Sequence, residues 1–134
     1  MHRRLSAMVA AAVLIVGSGL ALAHNSLSAE YDIHNPAVVR GIVTTIEWTT
    51  PRSFLTIEGE GANGRLTEFR IDLGSPRVLE HHGWTRNTVK EGETVTVIGW
   101  QARRAPSRIK GSNVKIHGKE FGAGLTFSEA TTPN

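Results

Sequence analysis

Hydrophobic and polar residues alternate most cleanly between Arg65 and Leu73. Thr67, Phe69, Ile71 and Leu73 take one parity, and Leu66, Glu68, Arg70 and Asp72 take the other. A period of two is the mark of a β-strand with one face buried and one face wet. Four more stretches read as strands. Val38–Trp48 is rich in β-branched residues; Ile42, Ile46 and Trp48 share a parity that predicts an inward face, with Arg40 opposing that face near its start. Phe54–Glu58 puts Leu55 and Ile57 on one side. Thr94–Ala102 carries Val95, Val97, Ile98 and Trp100, and its parity slips between Val97 and Ile98, which predicts a bulge near Gly99. Ser112–His117 sets Val114 and Ile116 inward and Asn113, Lys115 and His117 outward.

The segments between them carry turn and helix chemistry. Thr49-Thr50-Pro51-Arg52 is a turn, because proline cannot donate to a central ladder. Glu60–Gly64 ends in Asn-Gly, which tolerates positive φ and suits a hairpin. After the third strand the period changes. Ser75 is an N-cap, Pro76 takes the first helical position, Val78, Leu79 and His82 fall within one turn, and Gly83 stops a short helix. Lys90–Glu93 is a tight turn, and Arg103–Lys110 reads as a basic loop. Three strands, a short helix and two strands is the order of a small all-β, five-stranded OB-like barrel, with a small open sandwich as the competing architecture.

The first residues have a different character. His2-Arg3-Arg4 is a short basic start, Ala7–Val16 is an uncharged apolar run, Gly17–Gly19 breaks it, and Ala21-Leu22-Ala23 has the small-x-small pattern of a cleavage site. Residues 1–23 therefore read as a signal peptide cleaved after Ala23. An uncleaved anchor and the twin-arginine route are the alternatives. The resulting organisation is a polar lead-in at 24–37, a barrel domain at 38–118 and a flexible tail at 119–134. The mature protein would be periplasmic or secreted, with no stable membrane span.

Composition adjusts this picture in two ways. The 134 residues suit one domain, and the absence of cysteine removes disulfides, thiolate metal sites and cysteine nucleophiles. Lys and Arg number 15 against 12 Asp and Glu, but Arg3 and Arg4 belong to the removed segment, leaving 13 against 12. A mature chain so nearly neutral does not look like a nucleic-acid binder.

An ordered set of short motifs then accumulates. His24-Asn25-Ser26, Glu30-Tyr31-Asp32, Gly41-Ile42-Val43-Thr44, Glu47-Trp48 and Pro51 lie in the first half. Gly74-Ser75-Pro76, Leu79, Gly83-Trp84, Gly92-Glu93-Thr94-Val95-Thr96-Val97 and Gly99 lie in the second. Together, over about residues 23–117, they resemble a bacterial exported family named for domain of unknown function 6152. The resemblance implies a signal peptide, a compact OB-like β-barrel and no established activity. Members of that family often begin their mature chain with two histidines and often carry Asn-Pro-His after the tryptophan. This chain has Asn25 and Thr50-Pro51-Arg52 instead, which weakens a metal role built on those histidines.

Two constellations could carry chemistry. The stretch from Arg103 to Lys119 holds Arg103, Arg104, Arg108, Lys110, Lys115 and Lys119 with no acid before Glu120. The loop between strands four and five borders the ligand face in OB-folds, and Trp100 precedes it. Arg52, Trp100, Arg103, Arg104 and Arg108 are thus the candidate ligand-binding residues, against the plainer reading of a solubilising loop. The second constellation is a metal site. His24 at a new N-terminus would chelate Cu(II) through its α-amine and ring Nδ1, with His34 or His117 adding a third nitrogen, against the plainer reading of scattered solvent histidines. His81 and His82 are adjacent on a helix and point about 100° apart, so one metal does not take both. No triad spacing and no phosphate loop is present. The expectation is an exported, non-enzymatic OB-like binding protein for a small anionic ligand or a protein partner, without a cofactor. The alternatives are a copper-binding protein and a structural protein without a small ligand.

Overall fold

The computed structural model describes residues 27–124. The predicted signal segment, its cleavage point, His24 and residues 125–134 lie outside the described residues. Residues 27–30 are helical. They lead into β1 (Tyr31–Glu47), β2 (Ser53–Glu60), β3 (Leu66–Gly74), α1 (Pro76–His81), β4 (Thr94–Ala102), β5 (Ala105–Ile116) and β6 (Lys119–Gly122). The fold is all-β. Neighbouring strands pair in the order β3-β2-β1-β4-β5-β6. A short parallel pairing of Arg70, Ile71 and Asp72 with Arg108, Ile109 and Lys110 joins β3 to β5. That contact closes β1, β2, β3, β5 and β4 into a ring-like sheet, the OB-like arrangement that the element order predicts. An open sandwich has no such return pairing.

The ring encloses the main core. Val39, Val43, Leu55, Ile57, Phe69, Ile71, Leu73, Val95, Val97, Ile109, Val114 and Ile116 point inward from its strands. α1 covers the core with Leu79. The helix starts as its residues predict, with Ser75 Oγ accepting from Val78 N at 3.3 Å and Pro76 in the first turn. Trp84 is buried beyond the helix, and its indole N–H donates to the Gly122 carbonyl at 2.7 Å. The predicted bulge near Gly99 is present as a register shift between Ile98 and Gly99 against β5. Glycine is needed there, because a methyl group would collide with the Lys110 carbonyl.

Four features differ from the sequence expectation, and each has a local cause. β1 begins at Tyr31 rather than Val38. Tyr31 and Ile33 bury against Trp100 and Ala102 in a second, smaller apolar cluster outside the main core. The register is irregular between Tyr31 and Pro36, so no clean alternation advertises the strand. Within β1 the inward residues before the bulge are Val39 and Val43, while Ile42 is 50% exposed. A register shift between Val43 and Thr45 then moves the inward parity by one, so that Ile46 and Trp48 pack on the core as expected. β5 begins at Ala105, which reduces the predicted basic loop to the turn Arg103-Arg104. Arg108 and Lys110 resemble loop residues in sequence but alternate on the strand with buried Ile109 and Gly111. Finally, residues 119–122 form β6 where a tail is expected. The Ala123 amide donates to Ser112 O at 2.7 Å and the Gly124 amide to Leu73 O at 3.0 Å, which carries the chain from β5 back to the end of β3.

Candidate functional site

The predicted basic residues are placed first of all against acids. The Arg103 amide donates to Glu30 O at 2.9 Å, its Nε donates to Ser28 O at 3.0 Å, and its guanidinium lies 3.8 Å from Asp32. Arg108 pairs with Glu30 at 3.1 Å. Arg52 meets Asp72 at 2.9 Å, and Lys110 reaches the same carboxylate at 3.3 Å. Asp72 is buried and also accepts from the Gly74 amide at 2.9 Å. These cations tie the N-terminal segment to the β4–β5 turn and seal the β3–β5 seam. Arg104 is exposed and makes no ion pair among the described residues. Trp100 lies apart from these cations in the smaller apolar cluster. Its side chain is fully buried under Tyr31 and Ile33 and is not part of a ligand-facing groove. Two depressions, of about 250 and 230 Å³, flank Gln101 and Pro106 beside this turn. Their polar groups are mostly amides and hydroxyls, and Arg103 enters one of them already paired to Asp32.

Of the candidate metal ligands, the two described histidines, His34 and His117, are not brought together. His24 is outside the described residues. His34 is exposed on β1 near the Trp100 end of β4, while His117 lies in the β5–β6 turn at the Thr94 end. At strand rise they stand roughly 20 Å apart, so they cannot both join His24 at one ion. Among the described residues no group of three or more His, Cys, Asp or Glu is arranged to hold a metal. His81 and His82 are both exposed at the end of α1.

A different face gathers two cations that form no salt bridge among the described residues. Arg40 on β1 is in register with Thr96 on β4, and Thr96 is in register with Lys115 on β5. All three point outward, so they form one cross-strand row. The two cations stem from strands about 10 Å apart, with the threonine between them. Neither Arg40 nor Lys115 makes an ion pair among the described residues, and both are exposed. The row borders a depression of about 520 Å³ that Glu93, Thr94 and His117 also line.

The rim opposite the row is ordered by hydrogen bonds. Glu93 Oε2 accepts from the Lys90 amide at 3.0 Å, and Oε1 lies 3.1 Å from His117 Nε2. The Lys90 amide first, and His117 second, hold the Glu93 carboxyl below its ordinary pKa. His117 and Gly118 both have positive φ, 51° and 77°, so the β5–β6 turn projects the imidazole back over the end of β4. Two cations and two hydroxyls line one concavity opposite the Glu93 carboxylate and His117, an arrangement suited to a small anion held on the cationic side. Lys115 and His117 belong to the outward set that alternation predicts for the last strand. Arg40 was also legible, as the charged residue that opposes an inward face for its parity. What the sequence does not state is the register that makes Arg40 and Lys115 neighbours.

Residues 11–111 match the model of a family of unknown function, DUF6152. The chain belongs to that family. No curated protein matches it. The DUF6152 match includes Arg40, Glu93, Thr94 and Thr96 and stops before Lys115 and His117. Part of the cationic row thus lies within the DUF6152 region and part beyond it. No helix among the described residues is long and apolar enough to cross a membrane.

Proposed function

We propose that this DUF6152 protein is an exported, non-enzymatic binding module that captures a small anion in the depression beside Arg40 and Lys115. One observation carries the reading. The cross-strand row Arg40–Thr96–Lys115 presents two cations that form no salt bridge among the described residues, at the edge of a concavity large enough for a small ligand. Export rests on the signal pattern of residues 1–23. The non-enzymatic part rests on the sequence, which has no spacing for an activated nucleophile or a phosphate loop. The proposed ligand is the small anion that the basic stretch suggests, and the proposed site is the row rather than the β4–β5 turn. The cations at Arg52, Arg103 and Arg108 form salt bridges, and those of the row form none among the described residues.

Charge-assisted hydrogen bonds contribute about 1.5–3 kcal/mol each when well formed. Two of them, weakened by exposure, correspond to a Kd on the order of 1 mM or somewhat tighter. Titration with sodium phosphate, followed by calorimetry or NMR, tests this. The unaltered protein should bind one phosphate, and Arg40→Ala with Lys115→Ala should weaken that binding about tenfold or more. Raising the NaCl concentration should weaken it as well, because both cations are exposed. Equal phosphate affinity in the doubly substituted protein would remove the site.

A further inference from the structure

Resting on the anion-binding reading, we propose that the depression selects oxyanions of the phosphate class over sulfate, and that Glu93 is the residue that discriminates. Arg40 and Lys115 attract any anion of suitable size and carry no preference between these two. Glu93 is different. It lines the same depression, its side chain is 24% exposed, and both of its oxygens are engaged.

Its position is fixed from two sides. The Lys90 amide holds Oε2, and His117 Nε2 lies against Oε1. A carboxylate has about four acceptor positions in all, so each oxygen keeps one after these contacts. A ligand that fills the depression from the cations to its Glu93 rim would therefore meet an ordered acceptor. Near neutral pH both forms of inorganic phosphate carry at least one O–H, which donates to that acceptor. Sulfate carries none. Its oxygens would meet the carboxylate lone pairs directly, with repulsion and no hydrogen bond in return. A site built to accept a ligand hydroxyl discriminates strongly against an analogue that lacks it, because the buried or ordered partner is left unmatched.

Charged neighbours of both signs surround this rim. Lys115 faces Glu120 across the β5–β6 pair, Lys119 follows the turn, and Lys90 and Glu91 precede Glu93. Thr94 and Thr96 hydroxyls donate or accept and suit either ion.

The test is a pair of titrations on the full chain at pH 7 and matched ionic strength, one with sodium phosphate and one with sodium sulfate, repeated on Glu93→Gln. Glutamine keeps an oxygen for the Lys90 amide and replaces the repelling oxygen with an amide donor. Phosphate should bind at least tenfold more tightly than sulfate, and Glu93→Gln should reduce that ratio to about threefold or less, largely through a gain in sulfate affinity. Binding of both ions with similar affinity, or of sulfate more tightly, overturns the selectivity while leaving the anion site standing. A ratio that survives Glu93→Gln overturns the role of Glu93. Binding of neither ion removes both the selectivity and the reading beneath it.

Discussion

Tyr31 shows how one side chain reports on the outer layer of the molecule. It is 3% exposed and packs with Ile33, Trp100 and Ala102, away from the main core. Burial raises its pKa above the ordinary 10.0; Glu30 and Asp72 add to the shift, and Arg108 and Arg52 oppose it. The phenol thus keeps its proton longer in the folded chain than in the unfolded one. Between the unfolded and the raised folded pKa the native state binds more protons, so stability falls as pH rises through that window and is unaffected below it. The sequence contains one tyrosine, so absorbance near 295 nm follows this group alone. Its alkaline inflection should lie above 10.0 in buffer and return to about 10 in strong urea. An inflection at the same pH in both would place Tyr31 in solvent. Asp72, close by, illustrates a second residue-scale economy: one buried carboxylate serves Arg52, Lys110 and the Gly74 amide at the seam where the ring closes.

At the scale of elements, legibility followed the regularity of the ladder. β3 is readable because its pairing with β2 runs without a shift from Phe54–Asp72 to Glu60–Leu66, so Phe69, Ile71 and Leu73 keep their inward parity, while Asp72, on the parity expected to be wet, is buried by the seam with β5. β1 was only partly readable because two irregularities interrupt it. The bulge between Val43 and Thr45 joins two halves of opposite parity, and a single parity drawn through Ile42, Ile46 and Trp48 fits the second half alone. The charge at Arg40 was the local sign of this, since a strand does not alternate arginine with isoleucine on a buried face. The basic stretch reads as a loop for a related reason. Arg108 and Lys110 look like loop residues until Asp72 and Glu30 are placed beside them, and those partners are 38 and 78 residues away in sequence. Pairings so distant leave no trace in a local pattern. The consequence is testable. Arg103→Ala with Arg108→Ala should speed amide exchange at Tyr31–Ile33, where the N-terminal segment is tied down, and leave phosphate affinity within about twofold. A tenfold loss of phosphate affinity with unchanged exchange would return the ligand site to the β4–β5 turn.

For the whole molecule, the ring separates two kinds of surface. Along the β3–β5 seam and the N-terminal segment, cations and acids neutralise one another and serve cohesion: Arg52 and Lys110 with Asp72, Arg108 with Glu30, Arg103 with Asp32, and Arg70 with Glu47. Across β1, β4 and β5, two cations remain unpaired among the described residues beside a concavity. A chain with a net charge of only +3 can still carry a local anion site, because charge acts through its distribution over a Debye length of about 10 Å rather than through its sum. The most direct measurement of where that function sits is a ¹H–¹⁵N correlation spectrum of the labelled protein during a phosphate titration. Saturable shifts should concentrate at Glu93, Thr94, Thr96, Lys115 and Gly118, with Arg103–Arg108 unmoved. Shifts centred on the Arg103-Arg104 turn, or none that saturate, would contradict the placement of an anion site on the β1–β4–β5 face.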